Sequence, residues 1–356
     1  MTQGGEHHAT DQLRGATLGL AAAALFGLSA PVAKLLLGQI APVLLAGLLY
    51  LGAAAGLWLH RAIARPTREA PLGRSDAWRL GLVVLAGGIA GPVLMLLGLS
   101  RVTGLTGSLL LNLEAPFTVL LAVMLFREHL GRYAAAAVVM IIAGAAVLKV
   151  EPGALGADTP GVALIAAACA CWALDNNLTQ KLSLRDPFAI VRVKALVAGA
   201  TNTLLGLVVA RGQLPPASFV LGAMALGSLS YGVSVVLDAY ALRFIGAARE
   251  AAYFATAPFV GALASVVLLD DALRLPDGLA MAAMAGGVAL LLRERHSHKH
   301  LHSELDHEHL HEHDEHHQHA HATGDPLGEP HSHAHRHLPL VHDHPHVPDA
   351  HHRHRH

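Results

Sequence analysis

The chain has 356 residues, of which 53% are hydrophobic and 14% charged, with a formal net charge of −1. These averages hide two unlike parts: residues 296–356 hold 23 of the 27 histidines, with ten acidic and four basic residues, and leave 21 basic against 16 acidic in the remainder. A chain with many near-continuous apolar runs of roughly 20 residues, the length of a bilayer-spanning helix, is excluded from the water-soluble domains, and nothing in its charge marks a nucleic-acid binder.

In chain order, residues 1–14 form a short polar N-terminus. Ten apolar helices are then predicted, at 15–37, 40–60, 79–99, 106–126, 132–149, 161–181, 187–210, 217–240, 246–269 and 276–292. The first run is too long for the apolar core of a secretory signal. Connections are short, except for Arg61 to Arg79 and the Pro/Gly-rich link Glu151 to Pro160. The link separates a first half (15–150) from a second (161–293), and a His-rich tail (294–356) follows. Cys169 and Cys171 fall inside one predicted span. Two positions apart, they point to nearly opposite sides of a helix, so they read as small packing residues, not a metal pair.

The two halves repeat each other. Arg101, Gly104, Ala115, Pro116, Phe117, Leu121, Arg132 and Gly144 recur 142 residues later as Arg243, Gly246, Ala257, Pro258, Phe259, Leu263, Arg274 and Gly286. Gly15, Leu18, Ala21, Ala22 and Ala24 fall opposite Gly161, Leu164, Ala167, Ala168 and Ala170, with Phe26 opposite Trp172. A duplicated apolar half marks a secondary transporter with its site between the two copies. With the N-terminus inside, fifteen loop Lys and Arg fall on the cytoplasmic side and five on the other, so both termini are expected in the cytoplasm and the plasma (inner) membrane is the expected location. Five spans per half return the chain to the opposite face, so the second copy is expected to be inverted and alternating access to follow.

The run Leu109-Leu110-Leu111-Asn112-Leu113-Glu114-Ala115-Pro116-Phe117, followed by Phe126-Arg127-Glu128, resembles the fourth-helix signature of the EamA-like transporters of the drug/metabolite superfamily. Ala22 to Lys34 and Ala170 to Lys181 resemble that family's first and sixth helices, and the likeness covers residues 15–293. It implies an all-α membrane fold of ten helices in two inverted five-helix repeats, and a permease rather than an enzyme. The chain departs from the family pattern in placing Ala115 between Glu114 and Pro116, in having Phe26 where Trp is typical, and in its tail.

Several residues could carry the chemistry. Glu114 sits at bilayer depth, where a carboxylate must be paired, protonated or wetted; it reads as a pathway residue or as a structural carboxyl bonded to a neighbouring helix. Asp175 and Lys194 fall at matching depths on either side of the turn between spans six and seven, at about 1.5 Å per residue, so they are expected to pair, with Arg192 as a competitor. Asn176, Asn177 and Asn202 would extend the polar lining. Asp238 and Glu250 face either the interface or a vestibule, and Lys34 and Arg249 are expected to snorkel. Tyr231, Tyr240 and Tyr253 read as interfacial anchors or cavity walls. Pro116 and Pro258 recur mid-helix as helix breaks, and Gly91-Pro92 is a third break with no clear repeat partner. No phosphate loop, zinc-protease motif or nucleophile elbow is present, so no catalytic residue and no cofactor is expected.

The tail alternates His-x-His: His296, His298, His300, His302; His307, His309, His311, His313; His331, His333, His335, His337. In an extended chain this puts alternate imidazoles on one side, suited to zinc, nickel or cobalt. Its polarity predicts disorder. The leading reading is a permease that exports a small metabolite or drug-like compound, with a coupling proton or ion. The alternatives are a divalent-metal exporter whose tail collects metal, and a membrane-tethered metal buffer or sensor. The sequence leaves the oligomeric state open.

Overall fold

The computed structural model describes residues 3–63, 71–126, 130–148, 158–182, 185–293, 296–302, 305–311, 331–337 and 340–346. Among the described residues, eight helical segments are long and apolar enough to cross a membrane: α1 (Gln12–Leu36), α2 (Pro42–Ile63), α3 (Arg74–Leu99), α4 (Gly104–Leu125), α6 (Thr159–Gln180), α7 (Pro187–Val209), α8 (Ala217–Leu242) and α9 (Arg249–Leu268). Two shorter apolar helices, α5 (Arg132–Val147) and α10 (Leu275–Leu291), hold 16 and 17 residues. At ~1.5 Å per residue they are about 24 and about 26 Å long, short of the ~30 Å hydrocarbon core of a typical bilayer. The longer connection after α2 and the link between the halves fall largely on residues 64–70 and 149–157, outside the described residues, as do Arg127 and Glu128 of the fourth-helix signature.

Helix contacts follow the duplication. Counterparts pack on each other as α2 with α7, α4 with α9 and α5 with α10, while α1 packs on α8 and its counterpart α6 packs on α3. Exchanging the two halves leaves this list unchanged, as a two-fold relation between them requires. In lipid no hydrophobic force drives helices together, so close approach through small residues must do so. At the α2–α7 contact, a Cβ on Gly206 would stand 2.6 Å from the Leu44 nitrogen and one on Gly199 2.7 Å from the Leu51 nitrogen. At the α5–α10 contact, Gly144 lies against Met284 and Ala280, and Gly287 against Ile141 and Ala137. Large apolar side chains such as Val139, Leu204, Val208, Leu221 and Val267 are left facing outward, as a lipid-facing surface would have them.

Local irregularities recur in both copies as well. Within α3 the backbone winds as a π-helix over Val84–Ala90, and within α8 over Ser228–Val233. Shifting the first by 142 residues puts it on 226–232. The Gly91-Pro92 break therefore has a partner in the second half. The partner was hidden because it is a backbone geometry with no proline to announce it. In α4 a 3-10 turn at Leu111–Leu113 precedes the α-helical segment that starts at Glu114; in α9 the helix stops at Phe254 and restarts at Ala257. Pro116 and Pro258 thus sit in the first turn of a restarted helix, not in the middle of a continuous one. There the missing N–H has no intrahelical partner to lose.

Four seven-residue segments of the tail, where disorder was expected, are paired as strands, and the rest of the tail lies outside the described residues. His296–His302 pairs antiparallel with Leu340–His346, and Leu305–His311 with His331–His337. These strands, β1 (His296–His302), β2 (Leu305–His311), β3 (His331–His337) and β4 (Leu340–His346), form two separate two-stranded ribbons. The His-x-His period of two is that of a strand, and here it prevails over the argument from polarity. His313 lies outside the described residues.

Candidate functional site: a cavity between the two halves

A cavity of about 240 Å³ lies among eight of the ten helices; α5 and α10 contribute nothing to it. Its lining comprises Phe26 of α1, Leu49, Tyr50 and Ala53 of α2, Pro92, Met95 and Leu96 of α3, Glu114 of α4, Trp172, Asp175 and Asn176 of α6, Val191, Lys194 and Ala195 of α7, Tyr231 and Val235 of α8, and Phe254 from the first turns of α9.

Helical periodicity explains which side chains reach it. Trp172, Asp175, Asn176 and Thr179 follow i, i+3, i+4, i+7 spacing and share one face of α6; Val191, Lys194 and Ala195 do the same on α7. Arg192, one position beyond Val191, points elsewhere and bonds Asp186 at 3.2 Å. Lys194 Nζ donates to Asp175 Oδ2 at 2.8 Å, and Thr179 Oγ1 donates to Asp175 Oδ1 at 3.0 Å. The predicted pair is formed, and the competitor is engaged elsewhere. Asn176 Nδ2 donates to Glu114 Oε1 at 2.7 Å, tying α6 to α4.

The π turn of α3 supplies the opposite wall. Its Gly91 N–H bonds Ala86 O, five residues back. The next residue, Pro92, has no N–H, so Gly87 O and Gly88 O lack their helical partners. Tyr50 OH and Trp172 Nε1 both donate to Gly87 O, at 2.9 and 3.1 Å, and Asn202 Nδ2 donates to Gly88 O at 3.2 Å. Because Gly87 has no side chain, the Asp175 carboxylate can lie directly against the α3 backbone. Glycine, π turn and proline together bring an aromatic pair and an ion pair to one place.

The remaining sequence candidates separate from this group. Asn202 is fully buried behind the wall, where it joins α7 to α3. Asn177 bonds Thr118 O at 3.1 Å and Ala173 O at 2.8 Å, so it joins α6 to α4 instead of lining the cavity. Asp238 does not reach the cavity either: its carboxyl lies against that of Glu250, and Asp238 Oδ1 and Glu250 Oε1 are buried without hydrogen-bond partners. Of the three candidate tyrosines, Tyr231 lines the cavity, and Tyr240 meets His60 at 3.4 Å. Sequence reasoning missed Tyr50, Trp172 and Phe254 as lining residues. Trp172 alone left a signal, as the second-half counterpart of Phe26.

One end of the bundle is tied by polar contacts across helices. Lys34 does not snorkel: its Nζ donates to Leu99 O and Val102 O at 2.7 and 2.6 Å. Arg101 bridges to Asp158 at 2.6 Å, and Asp271 accepts from the Leu105 N–H at 2.8 Å. At the other end Arg185 bridges to Asp76 at 2.9 Å, and His60 packs against Phe188 with tilted rings, centroids 5.2 Å apart.

Residues 13–150 and 159–293 each match the family model described as the EamA-like transporter family. The chain is 30% identical over 291 residues to an uncharacterized transporter of Methanothermobacter thermautotrophicus, an alignment that covers 76% of this chain and 84% of that one. A solved crystal structure shares the fold with a TM-score of 0.57 at 22% identity, over 78% of this chain and 96% of the other.

Proposed function

The chain belongs to the EamA-like transporter family, a multi-pass integral membrane protein, and on that premise we propose that it exports a small metabolite or drug-like compound by alternating access through the central cavity. The observation that carries this reading is the cavity itself: eight helices, four from each repeat, line it and set three ionisable side chains at bilayer depth. Ionisable groups inside a membrane mark substrate or ion pathways by default. In this reading α5 and α10 complete the count of ten spans and brace the bundle against each other, the repeats are inverted, and both termini lie in the cytoplasm of a plasma-membrane protein. The excess of Lys and Arg on that side supports the orientation.

Alternating access requires that ties at one end form as those at the other break. The Lys34, Arg101–Asp158 and Asp271 contacts at one end, and the Arg185–Asp76 bridge at the other, are the groups positioned to do so. Glu114 is the carboxylate we assign to binding or to a coupling ion. It is held by a neutral amide, so it remains able to exchange a partner. The direct test is efflux from cells expressing the wild type or Glu114→Gln, with a panel of amino acids, amines and drugs. Efflux lost at equal membrane abundance supports the assignment; full efflux in the variant removes Glu114 from the mechanism.

A second reading concerns the tail. The strand register sets His296 opposite His346, His298 opposite His344 and His300 opposite His342, and sets His307, His309 and His311 opposite His335, His333 and His331. Histidines thus stand opposite one another in the strand register, which favours zinc, nickel or cobalt binding and a metal-collecting role beside the permease.

A further inference from the structure

The cavity has a chemical bias that goes beyond a generic permease. Two carboxylates and one ammonium line it, and the ammonium is spoken for: Lys194 Nζ sits on Asp175 at 2.8 Å. Among the described residues no cationic side chain forms an ion pair with Glu114, whose Oε1 is held by the Asn176 amide at 2.7 Å. The cavity therefore holds one carboxyl more than its single ammonium balances.

Its walls reinforce that sign. Five of the chain's sixteen Phe, Tyr and Trp residues line this one cavity. Four of them form a continuous run of ring contacts: Phe254 to Phe26 at 5.1 Å, Phe26 to Tyr231 at 5.7 Å, and Tyr231 to Tyr50 at 5.9 Å. Trp172 joins by sharing the Gly87 carbonyl with Tyr50. Ring faces carry negative electrostatic potential and attract ammonium groups, most strongly where water is excluded. An anion would meet Glu114, the ring faces and a lysine already paired; it is disfavoured on three counts. A zwitterion would find a seat for its amine but would have to take Lys194 from Asp175 to seat its carboxylate. A volume of about 240 Å³ lies below the ~300–1,000 Å³ usual for ligand pockets, so the ligand is small.

We infer that this cavity selects a small organic ammonium ion, an amine or quaternary ammonium on an aromatic or branched apolar body, with the cationic head at Glu114 and the body against the aromatic wall. The inference rests on the cavity being the permease's substrate site, and the experiment separates the two. Trp58 and Trp78 are exposed, so a W58F/W78F variant of the full chain leaves Trp172 as the only tryptophan reporter inside the cavity. In detergent, quenching of Trp172 is titrated with benzyltrimethylammonium, phenethylamine, phenethyl alcohol, phenylpropionate and L-phenylalanine. The amines are expected to bind, and to bind more tightly than the alcohol, the acid and the zwitterion. Glu114→Gln, close in shape to the wild type, is expected to weaken the amines by roughly tenfold or more, ~1.4 kcal/mol, and to leave the alcohol unchanged. Tyr231→Leu is expected to weaken the quaternary ammonium more than the alcohol. Preference for the acid or the zwitterion, or amine affinity that ignores Glu114→Gln, overturns the inference even if the protein transports. Amines that bind as expected but are not moved across proteoliposomes overturn the permease reading and leave the cavity's selectivity standing.

Discussion

The Asp175–Lys194 pair allows the site's energetics to be tested without a known substrate. The Asp175 side chain is 5% exposed and that of Lys194 19%, so each charge left alone would be stranded in a poorly solvated place. Asp175 accepts two bonds, from Lys194 and Thr179. Removing one partner of a buried pair costs ~3–5 kcal/mol; because this pair borders a cavity that water can enter, about 3 kcal/mol is expected for Asp175→Asn or Lys194→Met alone. The double variant D175N/K194Q sets one neutral amide beside another and strands no charge. It should therefore lose far less than the summed single effects, with a coupling of roughly 2–3 kcal/mol. The assay is thermal or denaturant-induced loss of the monodisperse species in detergent for wild type, both single variants, K194Q and the double. Additive losses would show that the two groups do not interact as described, and that the cavity's charge balance is wrong.

Other expectations follow from particular contacts. Lys34→Met removes two bonds to carbonyls that close the end of α3, at ~1.5–3 kcal/mol each for hydrogen bonds to a charged donor; it should raise the solvent accessibility of a cysteine placed in the α3–α4 turn, and unchanged labelling would refute a sealing role. Gly206→Ala places a methyl against the Leu44 backbone, which has no flexible end to yield, and should destabilise the α2–α7 contact by ~1–3 kcal/mol; wild-type thermal stability in detergent would contradict the packing. Truncation after Arg293 should abolish binding of zinc and nickel measured by calorimetry on purified protein while leaving substrate efflux intact, and retained stoichiometry would show that the ions bind elsewhere.

Much of the architecture is legible in the amino-acid order, because lipid leaves few alternatives: apolar length gives helices, and a gapless 142-residue echo gives two copies. The Asp175–Lys194 contact was legible for the same reason, since depth along a helix follows from counting residues from a short turn. The π turns were not legible. Gly91-Pro92 announces a break in α3, but no residue type encodes the π winding itself, and the second copy at Ser228–Val233 has no proline. The carbonyls they release are what fix Tyr50, Trp172 and Asn202. Asn202 accordingly looked like a pathway residue when its amide serves to join α7 to α3. Asp238 was misplaced because charge alone does not tell which face of a helix looks inward. The tail's strands were implicit in its period of two, but polarity argued against order and the pairing partners lie between 38 and 50 residues apart in one ribbon.

The proposed alternating access has one cavity between the repeats reached from each side of the membrane in turn. Its most direct test is a single cysteine at Val191, which lines the cavity, in a background in which Cys169 and Cys171 are replaced by alanine. Membrane-impermeant maleimide is applied from either face of sealed, oriented vesicles. Labelling from both faces is expected, with labelling from one face abolished when R101C/D158C is oxidised to a cross-link and restored on reduction. Labelling confined to a single face with the cross-link reduced would contradict it.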